Sequence, residues 1–151
     1  MSKRMIALLV LIFIAPLLYY LLWPSDEKRI RKLFKEGAAA IQAKQVDEVM
    51  AKVSFNYSDE HGLSYLYLKE GTMRLFTQVD AIQVDYAVKS IEIKDVKATV
   101  DIEVRVIAGH GQEKGYIAGD AARPLPMKFY LEKERSKWLV MKTEGLPVWY
   151  Y

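Results

Sequence analysis

The chain has 151 residues, and apart from Lys3 and Arg4 it carries 20 basic against 19 acidic side chains. A balance this even excludes the broad positive field of a nucleic-acid binder, although the sequence pI is near 8.9. With no cysteine, disulfides and thiolate metal sites are excluded too.

Met5 to Trp23 contains no charged side chain. As a helix it reaches about 28 Å, enough to cross a hydrocarbon core of roughly 30 Å. Tyr19, Tyr20 and Trp23 form an aromatic belt where such a helix leaves the bilayer. The run ends without the small-x-small pattern of a cleaved signal, so it reads as an uncleaved anchor, with lipid contact as its first partnership. Lys3 and Arg4 favour a cytoplasmic N-terminus and an extracytoplasmic, periplasmic domain. The basic group Lys28, Arg29, Arg31, Lys32 and Lys35 pulls the other way under the positive-inside rule.

Pro24 and Ser25 end the span. Ser25 is the predicted N-cap of a second helix, with Asp26 and Glu27 in its first turn. Ile30, Leu33, Phe34, Ala38 and Ile41 give that helix one apolar stripe. Its basic group faces away, as a solvated surface or as a contact with anionic headgroups. Val46, Val49, Met50 and Val53 mark a short helix. A short extended piece from Ser54 follows, carrying the three-residue sequon at Asn56, and turns at Asp59 to Gly62. The next helix spans about 64–76, with Tyr65, Leu68, Thr72, Leu75, Phe76 and Val79 as its buried stripe.

From Ala81 the period becomes two. Ile82, Val84, Tyr86 and Val88 share one face; after Lys89-Ser90 the apolar phase moves to Ile91 and Ile93, which predicts a β-bulge. Ala98 to Ala108 alternates cleanly, Met127, Phe129 and Leu131 define a further strand, and Lys137 to Thr143 the last. Residues 109–120 hold four of the eight glycines and read as a mobile hairpin connection with some irregular strand, or as a flap or partner-binding loop. Strands in series with short turns predict an antiparallel meander beneath the helices.

This order of elements, with the bulged strand at Lys89-Ser90 and the Asp47-to-Asp59 segment, resembles the NTF2-like (cystatin-like cone) superfamily over roughly 26–146. The resemblance implies an α+β fold of three helices on a bent antiparallel sheet behind the N-terminal transmembrane helix. The expected division is 1–24 tail and anchor, 25–146 cone, 147–151 aromatic tail. It also implies one of three roles: a small-molecule isomerase or dehydratase, a binding domain, or a membrane-tethered scaffold.

The residues favour binding over catalysis. Asp85, Asp101 and Glu103 have the parity of the wet face, and Asp59 with His61 in a turn suits capping better than acid–base work. No catalytic residue, cofactor or metal site is predicted, since His61 and His110 are too few for one. Tyr57, His61, Tyr65, Tyr86 and Phe129 are the pocket candidates, although the same residues describe an ordinary core. Trp149, Tyr150 and Tyr151 end the chain as exposed anchors for an envelope protein or a second copy, or as a cover for the sheet. The expected function is non-enzymatic binding of a protein partner or apolar ligand, with a membrane-tethered enzyme as the alternative.

Overall fold

The computed structural model describes residues 3–147, apart from the side chain at position 4, so the expected aromatic contacts of Trp149, Tyr150 and Tyr151 lie outside the described residues. Helix α1 (Lys3–Leu22) contains Met5–Leu22, a stretch of 18 residues long and apolar enough to cross a membrane, with none of it buried. Trp23 stacks on Tyr19 at 5.0 Å between ring centroids, and the Arg29 guanidinium lies 5.0 Å over the Trp23 ring. The end of α1 is thereby tied to the start of the folded domain.

Helix α2 (Asp26–Gln42) begins as its sequence dictates. The Ser25 hydroxyl accepts from the Lys28 amide at 3.3 Å, satisfying one of the free donors of the first turn. Asp26 then fastens this end to the sheet: its Oδ1 accepts from Lys133 Nζ at 2.9 Å and from Trp138 Nε1 at 3.1 Å. One turn on, Ile30 is fully buried. Helix α3 (Val46–Met50) and helix α4 (Tyr65–Gln78) complete the helical layer, with Leu68, Thr72 and Phe76 as α4's buried stripe.

Five strands follow: β1 (Ala81–Lys94), β2 (Lys97–His110), β3 (Glu113–Ala118), β4 (Leu125–Glu134) and β5 (Lys137–Glu144). They form one antiparallel sheet in the order β1-β2-β4-β5, with β3 also paired to β2. The architecture is the α+β cone expected. Val88 pairs with Ile102 and Ser90 with Asp101, leaving Lys89 as the extra residue of the bulge. Two more register shifts, at Val106/Ile107 and Tyr130/Leu131, add to the bend.

The glycine-rich stretch holds a hairpin turn and a strand with a register shift, in keeping with the hairpin and irregular strand expected. Residues 113–118 are a strand on the same edge of β2 as β4, so β3 and β4 together act as one strand interrupted by residues 119–124. Gly111 takes the positive φ of +61 that the hairpin turn needs, and its amide donates to Asp80 Oδ2 at 2.6 Å. The strand is short, and its single glycine, Gly115, interrupts the period that would have marked it.

The β5 edge is covered by the loop after α3. The Ser54 amide donates to the Val140 carbonyl at 2.9 Å, and the Ser58 amide to the Met141 carbonyl at 3.0 Å. This closes an edge otherwise open to foreign strands.

The carboxyl of Asp26 is held below its ordinary value, first by the Lys133 hydrogen bond and then by Trp138, against the opposing effect of burial. A depressed carboxylate stabilises the fold above its unfolded pKa, and that contribution is lost as pH falls through the folded one. Asp26→Ala is therefore expected to lower stability by about 1–2 kcal/mol at neutral pH, after discounting for solvent screening. Denaturant titrations at neutral and acidic pH should show the gap between variant and parent shrinking as the medium becomes acidic.

Candidate functional site

Between helices and sheet lies a cavity of about 220 Å³. It exists because two facing surfaces fail to meet. The sheet is bent by its bulges, while α2 presents Gly37, which has no side chain, and the small Ala38 to the space that Ile102, Val104 and Phe129 also line. Phe34 of α2 packs edge-on against Phe129 at 5.0 Å and supports one wall. Leu75 and Phe76 of α4 supply another, and Leu146 and Pro147 border the space.

Several polar groups in this wall are engaged. The Tyr57 hydroxyl is hydrogen-bonded to the Thr143 hydroxyl, both residues being buried, and Thr72 Oγ1 donates to the Leu68 carbonyl at 2.8 Å. Lys52 contributes its aliphatic stem, while its ammonium leaves the wall to meet Glu36 Oε2 at 3.1 Å. That hydrogen bond is also the main cause of Glu36's lowered pKa. Among the described residues, no Asp, Glu or His lines the cavity.

A closed void of this size would be a liability. At about 24 cal/mol per Å³, 220 Å³ left empty and dry would forfeit roughly 5 kcal/mol, comparable with the whole stability of a small domain. An engineered apolar cavity of about 150 Å³ stays dry and takes up benzene. The space is suited to one apolar group somewhat larger than a single ring.

The structure brings Tyr57, Tyr86 and Phe129 to the cavity wall. His61 and Tyr65 are placed elsewhere, and the reason is local. Asp59 Oδ1 accepts from the amides of His61 at 2.9 Å and Leu63 at 2.6 Å, shaping the turn ahead of α4. The imidazole is thereby left exposed, 3.7 Å from Glu60. Tyr65 opens α4 and stacks on Phe55 at 4.8 Å. The sheet carboxylates take the opposite face: Glu103 pairs with Lys89 at 3.2 Å and Asp101 accepts from Ser90 Oγ at 2.8 Å. Sequence reasoning missed Lys52, Thr143 and the Gly37-Ala38 gap. Only the run of small residues from 37 to 40 hinted at the last.

No protein-family model matches the sequence, and no curated protein matches it. Solved structures do match its fold. A candidate dehydratase of the NTF2-like family from Streptomyces avermitilis superposes with a TM-score of 0.68 at 10% identity, covering 82% of this chain and 97% of that one. A candidate scytalone dehydratase from Novosphingobium aromaticivorans gives 0.67 at 12% identity, covering 82% and 89%. A domain of unknown function with a cystatin-like fold from Nostoc punctiforme gives 0.62 at 16% identity, covering 78% and 74%. Identities this low speak for the fold alone. The fold of this chain is that of the NTF2-like, cystatin-like proteins, carried behind an apolar N-terminal helix.

Proposed function

We propose that this chain is a single-pass membrane protein whose NTF2-like domain, residues 25–146, binds an apolar ligand at the cell envelope without chemical turnover. The single observation that carries the reading is the cavity wall. It is mostly apolar, and the hydroxyls of Tyr57, Thr143 and Thr72 are already hydrogen-bonded within the protein. Such a wall rewards removal of hydrocarbon from water and offers little to a polar solute. Residues 1–24 act as tail and anchor, and Tyr19, Tyr20 and Trp23 sit at the interface as α1 leaves the bilayer. The basic face of α2 lies next to the headgroups, with the domain on the extracytoplasmic side.

The dehydratase descriptions of two neighbours raise an enzymatic reading. Acid–base chemistry would fall to the ionisable groups in the wall, which are Lys52 and the phenols of Tyr57 and Tyr86. Lys52 is tied to Glu36 and Tyr57 to Thr143, which favours binding. A protein partner is the second reading, and Phe55 favours it: the residue is 84% exposed and its ring contacts Tyr65, which precedes the exposed Leu66 and Tyr67.

The test is titration of the full chain in phosphatidylcholine nanodiscs with N-phenyl-1-naphthylamine, a neutral apolar fluorophore. The expected result is saturable uptake at one site per protein above the linear partition into empty nanodiscs. Linear partition alone would overturn the reading. Protease protection in spheroplasts tests the side: the domain is expected to be cleaved without lysis.

A further inference from the structure

A second depression lies outside the cavity, along the seam between α2 and β1. It is bordered by Arg31, Lys32, Lys35 and Glu36, with Tyr86 and Val88 on the strand side. Three cations face one carboxylate there. Tyr86 lines both this depression and the apolar cavity, and it is 36% exposed. Tyr86 is thus the residue shared by the borders of a cationic surface depression and a hydrocarbon-lined interior.

The seam is also where the structure leaves the sheet open. β1 is an edge strand, and α2 covers part of it, with Gln42 Oε1 accepting from the Val84 amide at 3.0 Å. Lys35 makes no ion pair among the described residues, and Arg31 pairs only with Glu27, at 2.9 Å, with both side chains about half exposed. Such surface pairs exchange readily for a stronger anion. Arg31 lies five residues past Asp26, about 7.5 Å along α2, so the seam stays close to the end of the span.

We infer that the ligand is a single-chain anionic amphiphile, its hydrocarbon in the cavity and its carboxylate or phosphate head on Arg31 and Lys35, with Tyr86 at the passage between them. This rests on the apolar-ligand reading and adds the head to it. The geometry suits no neutral chain better than a charged one. Arg31 offers a planar fork to an oxyanion and Lys35 a point charge, while the neighbouring cation of Lys32 adds to the local field.

The experiment uses the full chain in phosphatidylcholine nanodiscs and three photoreactive probes. All carry the same diazirine-tipped alkyl chain, ending in a carboxylate, a phosphate monoester or a hydroxyl. Adducts on cavity-wall peptides are counted by mass spectrometry, which separates cavity labelling from labelling of α1 in the lipid. The expected result is roughly tenfold more wall labelling by a charged head than by the hydroxyl. The paired Arg31→Glu and Lys35→Glu substitution should erase that excess while leaving labelling by the alcohol intact, which shows the variant is folded. Equal labelling by all three heads, or an excess that survives the charge reversal, would overturn the inference and leave the apolar-ligand reading standing. Absence of wall labelling by every probe would overturn both.

Discussion

Ala38→Phe is expected to reduce binding of N-phenyl-1-naphthylamine by at least about tenfold while leaving the domain as stable as the parent or more so. Ala38 lies on the cavity face of α2, opposite Ile102 and Val104 of the central strand. A benzyl group built there enters the 220 Å³ space, and since about 150 Å³ already accommodates a benzene, little room remains for a ligand. Filling a natural void commonly adds about 0.5–2 kcal/mol. Loss of binding with a preserved or raised melting temperature separates a binding cavity from a packing defect. A large fall in melting temperature would mean that the helix and sheet cannot accept the ring, and that the space is not available to a ligand of that size.

Gly145→Ala is expected to act in the opposite sense, through the backbone. Gly145 follows β5 with φ +84, a conformation that L side chains rarely adopt. A Cβ there would lie 2.6 Å from the Pro126 carbonyl oxygen, and main chain cannot swing aside as a side chain can. The Gly145 amide meanwhile donates to Glu60 Oε1 at 2.9 Å, linking the end of the sheet to the turn before α4. Strain and displacement together predict a loss of about 2–4 kcal/mol, or a melting point lower by about 5–15 °C. Residues 146 and 147 border the cavity immediately afterwards, so the same substitution should weaken probe binding at temperatures where the domain is still folded.

The difference between these substitutions tracks what a sequence can reveal. The α1 run was legible from its length and lack of charge, and the α2 stripe around Ile30 and the alternation of β2 because each repeats the period of the structure it forms. The bulge was legible because one extra residue at Lys89 moves every later apolar side chain to the other parity. Strand β3 was not, since it has six residues, with Gly115 in its middle and no run of alternating apolar side chains. Parity places Tyr86 and Phe129 on inward faces, and both lie in the wall. Nothing in the spacing could have removed His61, whose position depends on amides gathered by Asp59. The cavity itself is a distance between α2 and the sheet. That distance is set by three register shifts and by the small residues Gly37 and Ala38, and no local pattern encodes it.

Whether this space holds a hydrocarbon chain is tested most directly by native mass spectrometry of the full chain released from nanodiscs made of its own cell membranes, followed by organic extraction of the bound species. One apolar, anionic chain per protein is expected, lost in Ala38→Phe and retained in Phe55→Ser. A parent protein that emerges with no bound amphiphile, or one whose adducts are unchanged in Ala38→Phe, would contradict that expectation.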